Sequence, residues 1–240
     1  KGIRRAHVKY VVFLNSDDFY HDKDGLRRSV AELERTGADF SYAPAVVINE
    51  LGRFSASSPH ITPHPDDIFT QMEFSHQSML TRCAVFERLG GFNLAYRSSS
   101  DYDFVLRMVF AGCKACFVPQ SFVTFVMGGY SIVNIEMANR EVAQIYSRHY
   151  SREGGMVFTE ERALHAYLHM TLPPKLVKVL SPFAQKTFGE DSRLRQEDEP
   201  LEKSNWDQRQ LLDFRRYLLP AHATRSRIIR RLTIMRCIVR

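Results

Sequence analysis

Residues 8–14, Val-Lys-Tyr-Val-Val-Phe-Leu, constrain this chain more than any other segment. The run is short, β-branched and aromatic, and its apolar side chains scarcely alternate with polar ones. That is the pattern of a buried strand covered on both faces, as in a parallel sheet. It stops at Asn15-Ser16-Asp17-Asp18, so polar residues take over at the strand's carboxyl end. In open α/β sheets that end borders the ligand crevice. An α/β fold with a polar cleft at this point is the first expectation.

The segments that follow keep to that class. Residues 24–35 are predicted to form a helix with Leu26, Val30 and Leu33 on one face and Gly37 as its stop. Residues 40–42 and 46–48 read as strands, and Glu50-Leu51-Gly52 turns the chain toward Arg53-Phe54. Residues 59–65 form a loop on proline content, 75–81 a strand, and 84–89 a short helix ended by Gly90-Gly91. Ser98-Ser99-Ser100-Asp101-Tyr102-Asp103 then opens a helix closed by Gly112. Within it Ser100 and Asp103 have the form of a capping box, with Asp in place of the usual Glu. Residues 117–118 and 122–126 read as strands, 128–131 as a loop and 135–150 as a helix.

Beyond about Glu153 the character changes to helical segments at 160–170, 205–219 and 225–239, divided by Pro173-Pro174 and by a charged, solvated linker at 190–203. The expected organisation is therefore an α/β domain over residues 1–150 and a helical extension over 151–240. With 240 residues, 44% of them hydrophobic, the chain can bury a substantial core.

The formal net charge of +6 is unevenly spread, since residues 225–240 carry six arginines and no acid. In that segment Ile228, Leu232, Met235 and Val239 line one side. This is the pattern of an interfacial helix on an anionic membrane face, and equally of a helix packed on protein. The tail lacks the aromatic interleaving of a nucleic-acid-binding surface. No run of eighteen apolar residues exists to span a membrane. Cys83, Cys113, Cys116 and Cys237 outline no disulfide framework, and the Cys113–Cys116 pair has no second pair to complete a zinc site. A reducing, cytoplasmic setting fits this usage, with the inner membrane face as the surface the basic tail would meet. His60, His64 and His76 are too irregularly spaced to suggest a metal cluster.

Two acidic clusters carry the chemistry. A pyrophosphate ligand can approach Asp17 and Asp18 only with a cation between, because like charges repel strongly in a low-dielectric cleft. Mg²⁺ needs only one or two protein carboxylates besides phosphate oxygens. Taken alone, the cluster is better read as a polar turn capping a strand. Asp101 and Asp103 at a helix start oppose the dipole and satisfy free amides, which is their ordinary use. A carboxylate held beside an acceptor hydroxyl could also serve as a general base.

The order of the segments is more specific than any one of them: VKYVVFLNSDDFY, HQSMLTRCAVFERLGGFN, SSSDYDFVLRMVFAGCKACFVPQ, then FVMGGYS. Together they resemble the family 2 glycosyltransferases of bacterial polysaccharide synthesis, over residues 1–150. The resemblance implies a GT-A, Rossmann-like nucleotide-diphospho-sugar transferase core, incomplete at the N-terminus. It implies that Asn15-Ser16-Asp17 occupies the place of the DxD motif, with Asp17 holding Mg²⁺ or Mn²⁺ against the nucleotide diphosphate and Asp18 supporting it. Asn15 stands where Asp is common and would bond the nucleotide or sugar. Asp101 matches the base of the ED motif, with Ser100 in place of the preceding acid. His76, Gln77, Arg82 and Asp103 would line the acceptor and sugar, and Gly128, Gly129 and Ser131 the loop over the diphosphate. The implied reaction is a metal-dependent, inverting transfer of a sugar from a nucleotide-diphosphate sugar to a hydroxyl acceptor, a glycan or a lipid-linked one.

Two other readings stand beside it. Strands that recognise the base and ribose lie, in such enzymes, before the equivalent of Lys1, so the chain is expected to be a fragment, and a fragment could act as a binding or partner-dependent module. A metal-dependent nucleotidyltransferase would also place acids at a strand end. It would carry a Gly-rich, Lys- or Arg-bearing phosphate loop, and none precedes Asp17.

Overall fold

The computed structural model describes residue 3 and residues 8–49, 54–57, 65–72 and 74–189. The expected linker at 190–203, the helices at 205–219 and 225–239 and the basic tail lie outside the described residues. The fold is mixed α/β, with helices packed on two four-stranded sheets.

In the first sheet the order is β1 (Tyr10–Val11), β6 (Leu80–Arg82), β3 (Phe40–Tyr42), β7 (Ala115–Phe117). In the second it is β2 (Phe19–Tyr20), β8 (Val123–Val126), β4 (Ala45–Ile48), β5 (Phe54–Ser57). The pairs β3–β7 and β4–β8 are parallel and the others antiparallel. The chain passes from the first sheet to the second three times, from β1 to β2, β3 to β4 and β7 to β8. Residues 15–18 lie in the first of these crossings.

The strand expected over residues 8–14 is shorter than its apolar run. Only Tyr10 and Val11 pair, antiparallel to β6 and at the sheet's edge among the described residues. Beyond them Phe13 leaves the sheet to pack edge-on against Phe92 (ring centroids 4.8 Å apart) and Phe86 (5.7 Å), an aromatic contact that competes with strand pairing.

Helix α1 (Gly25–Thr36) forms where its periodicity places it. Leu33 is buried, Leu26 and Val30 pack beside it, and Gly37 ends it in the left-handed conformation at φ 68°, donating its N–H to the Leu33 carbonyl. Helix α2 (Cys83–Leu89) precedes Gly90-Gly91, and α3 (Ser100–Phe110) buries Phe104, Val105, Leu106, Met108 and Val109. The short α4 (Tyr130–Val133) starts within the expected 128–131 loop, and α5 (Ile135–Glu153) follows it. Helix α6 (Glu160–Leu168) is capped by the Thr159 side chain, which accepts from the Arg162 N–H.

Helix α7 (Pro174–Phe188) fills a stretch that proline content had marked as a break. Pro174 sits in the first turn, where no intrahelical N–H is needed, and Pro182 is accommodated inside the helix. Its Leu176, Leu180 and Ala184 join the same core as Phe40, Tyr42, Phe104 and Tyr146. In that core Phe86 stacks on Phe104 at 4.5 Å, and the Tyr102 and Tyr150 hydroxyls each donate at 2.6 Å to the carbonyls of Ile68 and Phe69. The helices thus hold the 3₁₀ turn Pro65–Phe69 and fix the start of α3.

Candidate active site at the sheet junction

The four polar residues after β1 divide by exposure. Asn15, Ser16 and Asp17 are exposed, whereas Asp18 is buried, with 6% of its surface accessible. Asp18 Oδ1 accepts the Val126 N–H at 3.0 Å, and Oδ2 accepts from the Gln77 side-chain amide. Burial pushes the Asp18 carboxyl above its ordinary range, and the neighbouring Asp17 adds to this. The two hydrogen bonds and nearby His76 pull the other way without cancelling it. Asp18 therefore ties the first crossing to the end of β8, and Asp17 is left free to face solvent.

The end of β8 leads to the glycine pair. Gly128 has φ 98°, a backbone conformation that side-chain-bearing residues rarely adopt. Gly129 lies against the acidic turn, since a Cβ at this position would stand 3.8 Å from Asp17 Oδ2. Ser131, in the first turn of α4, is exposed. The structure thus brings Asp17, Asp18 and Gly129 together.

The segment expected to be one strand over 75–81 instead makes a 3₁₀ turn, His76–Ser78, before β6. Side-chain bonds to the backbone favour the turn over extension. The Ser78 hydroxyl donates to the Ala43 carbonyl at 2.7 Å and accepts the Ala43 N–H at 3.2 Å, which fastens the turn to the link between β3 and β4. Gln77 is 1% exposed; its carbonyl oxygen accepts from the Ser75 hydroxyl while its amide nitrogen donates to Asp18.

His76, one residue earlier, reaches the other acid motif. Its Nδ1 is 2.9 Å from Asp101 Oδ2, and the Tyr102 N–H donates to Asp101 Oδ1 at 2.9 Å. Burial would lower the His76 imidazole, but its hydrogen bond to Asp101 and the charges of Asp101 and Asp18 outweigh burial and raise it. Burial would likewise raise Asp101, and the bond and charge of His76, with the Tyr102 amide, outweigh it and lower the carboxyl. The pair is accordingly an imidazolium and a carboxylate across the middle of the acidic range.

Asp103 and Arg82 are engaged elsewhere. Asp103 is 1% exposed and its two oxygens take His149 Nε2 and Arg107 Nε, each at 2.9 Å. Arg107 extends that network to the carbonyls of Leu89 and Gly91, both at 2.8 Å, so Asp103 braces the Gly90-Gly91 turn. Its use there also removes it from the capping box drawn with Ser100; Ser99 occupies the cap position and its side chain caps nothing. The Arg82 guanidinium donates to the carbonyls of Ala38 (2.7 Å) and Leu33 (3.0 Å) and lies over the Tyr10 ring, closing the end of α1.

The amides before α3 have a partner that sequence reasoning missed. Glu141, buried in the middle of α5, accepts the N–H groups of Arg97, Ser98 and Ser99 at 2.7, 2.8 and 2.9 Å. Its carboxylate holds the loop from which Asp101 emerges. A glutamate inside a helix carries no local signal of such a role.

Among the described residues no group of three or more His, Cys, Asp or Glu side chains could hold a metal ion. The donor set at residues 15–18, one exposed carboxylate with neighbouring amide and hydroxyl oxygens, fits a hard cation that draws its remaining ligands from a phosphate-bearing substrate.

No family model matches the chain. Residues of the chain are 26% identical over 108 positions to a PGL/p-HBAD biosynthesis glycosyltransferase of Mycobacterium bovis (strain BCG / Pasteur 1173P2), covering 45% of this chain and 40% of that protein. The same figures hold for the corresponding protein of Mycobacterium tuberculosis (strain ATCC 25618 / H37Rv). The matched stretch thus spans less than half the length of these relatives. Among solved structures, S. aureus TarS 1-349 in complex with UDP-GlcNAc superposes with a TM-score of 0.49 at 13% identity, over 77% of this chain and 59% of that one. The chain is similar, over part of its length, to glycosyltransferases.

Proposed function

We propose that the chain is the catalytic part of a GT-A, family 2-like glycosyltransferase. It would move a sugar from a nucleotide-diphosphate sugar to a hydroxyl acceptor with inversion at the anomeric carbon. The observation that carries this reading is the convergence of motifs distant in sequence. Asp18 bonds Gln77 and Val126, Gly129 lies against Asp17, and His76 pairs with Asp101. A set of helix caps and strand-end turns would have no reason to meet. The similarity of the matched stretch to glycosyltransferases supports the same class.

In this reading Asp17 faces the diphosphate, with Asn15 and Ser16 beside it as polar contacts and Gly128, Gly129 and Ser131 forming the loop above. A Mg²⁺ or Mn²⁺ ion bound at Asp17 would neutralise charge on the diphosphate leaving group. Asp101, held as a carboxylate, accepts the proton of the acceptor hydroxyl as its oxygen attacks the anomeric carbon. The bond from that carbon to the diphosphate breaks, and its electron pair leaves with the nucleotide. A carboxylate lowered by His76 is a weak base, so its contribution rests on being ionised and correctly placed. Gly129 puts no side chain into the space beside Asp17.

The test is a screen of UDP-, GDP-, dTDP- and ADP-sugars with Mn²⁺ for donor hydrolysis and for transfer to hydroxyl acceptors, comparing wild type with Asp101→Asn. Loss of turnover in Asp101→Asn with nucleotide binding retained is the expected result. Wild-type turnover in that variant removes Asp101 as the base, and a wild type that neither binds any of these nucleoside diphosphates with a divalent cation nor hydrolyses any of their sugars removes the reading.

A further inference from the structure

We propose that His76 and Gln77 are positioning residues that couple the diphosphate end of the site to its acceptor end, through one rigid turn that grips an acid of each motif. The inference rests on the glycosyltransferase reading and adds to it a mechanical link between the two half-sites. The two residues are consecutive, and their side chains reach different segments: Gln77 holds Asp18, just before β2, and His76 holds Asp101, in the first turn of α3.

The turn that carries them is itself immobilised. Ser78 bonds both backbone groups of Ala43, and the Ser75 hydroxyl fixes the Gln77 carbonyl, so the amide can present only its nitrogen to Asp18. The separation between Asp18 and Asp101 is thereby set by a bracket with few soft torsions. A free surface His–Asp pair would contribute little and fix nothing. This pair is mostly enclosed, its side chains 21% and 25% exposed, and the neighbouring Gln77 is almost fully buried. The acids facing His76 are Asp101 from α3 and Asp18 from the first crossing, and Asp17 in turn faces Asp18. A cation bound with phosphate at Asp17 would change the field at Asp18, which His76 also faces, so occupancy of the donor end is felt at the base.

The experiment uses the full chain and two probes: UDP with Mg²⁺ for binding, and the UDP-sugar hydrolysed fastest in the screen for turnover. His76→Ala is expected to lower kcat about 10- to 100-fold with KM for the donor unchanged, the scale on which supporting contacts act. His76→Gln, which keeps an N–H donor, is expected to recover part of that loss. Gln77→Ala is expected to reduce both kcat and the affinity for UDP with Mg²⁺. The imidazole of His76, followed by NMR, should titrate above a free imidazole and move when UDP and Mg²⁺ are added; the response should shrink in Gln77→Ala. Variants that turn over at the wild-type rate, or a His76 signal indifferent to UDP and Mg²⁺ in an active wild type, overturn the coupling alone. A wild type that binds none of the nucleoside diphosphates of the screen overturns the glycosyltransferase reading and the coupling with it.

Discussion

The His76 Nδ1 atom lies 2.9 Å from Asp101 Oδ2, joining a 3₁₀ turn before β6 to the first turn of α3. The contact defines a pH window. His76 is raised above its ordinary value, so its contribution to stability is present below about pH 6.5 and is lost as pH rises through the raised value. Asp101 is lowered, so its contribution is present above about pH 4 and is lost as pH falls through the lowered value.

The pair is therefore expected to stabilise the fold most between about pH 4 and 6.5. Thermal unfolding of wild type and His76→Gln, compared at several pH values, should show the largest gap in that window, on the order of 1 kcal/mol for a partly enclosed pair. A gap that grows steadily toward alkaline pH would contradict the assignment.

Asp103 gives the contrasting case, an acid of the same helix turn with a structural use. Replacing it by Ala leaves Arg107 and His149 without their carboxylate in an enclosed network. A cost of about 3 kcal/mol is expected, readable in urea unfolding. Asp101→Asn should cost far less stability and far more turnover, about 100-fold or beyond. Equal stability losses in the two variants would erase the distinction.

Glu141 is expected to act on the site from a distance. Glu141→Ala leaves the amides of Arg97, Ser98 and Ser99 without their acceptor. A loss of about 1–3 kcal/mol follows, and hydrogen exchange at residues 97–99 should speed up more than at α1. Unchanged exchange there would show that the loop does not depend on this carboxylate.

Local periodicity carried much of the fold. Leu26, Val30 and Leu33 with Gly37 marked α1, and Phe104 to Val109 with Gly112 marked α3, because the signals lie within a few residues of one another. The Val8–Leu14 run misled in length because Phe13 is claimed by Phe86 and Phe92, which are distant in sequence. Residues 75–81 misled in type, since the Ser78–Ala43 bonds that stabilise the turn are tertiary. Helix α7 was hidden by Pro173-Pro174, which read as a break although Pro174 suits a helix's first turn; the cost of Pro182 inside it is met by burying Leu176, Leu180 and Ala184. At the site, the acids and glycines were legible as motifs, whereas the partners that orient them were not. Glu141 and the Gln77–Asp18 bond depend on elements that only the folded chain brings together.

The exposed Asp17 and the approach of Gly129 give a test of the metal end that spares the core. Asp17→Ala is expected to abolish the metal-dependent part of UDP binding and leave thermal stability nearly unchanged, because the side chain is exposed and Asp18 keeps its bonds to Val126 and Gln77. Gly129→Val should act on the same step by steric means, since its Cβ would stand 3.8 Å from Asp17 Oδ2 and its methyl groups would crowd the space beside the carboxylate. Calorimetric titration of UDP with and without Mg²⁺ separates the two effects. Asp17→Ala should remove the difference between the two titrations, whereas Gly129→Val should weaken binding in both. If Asp17→Ala retains the full Mg²⁺ dependence, the cation is held elsewhere and the diphosphate end of the site has been misplaced.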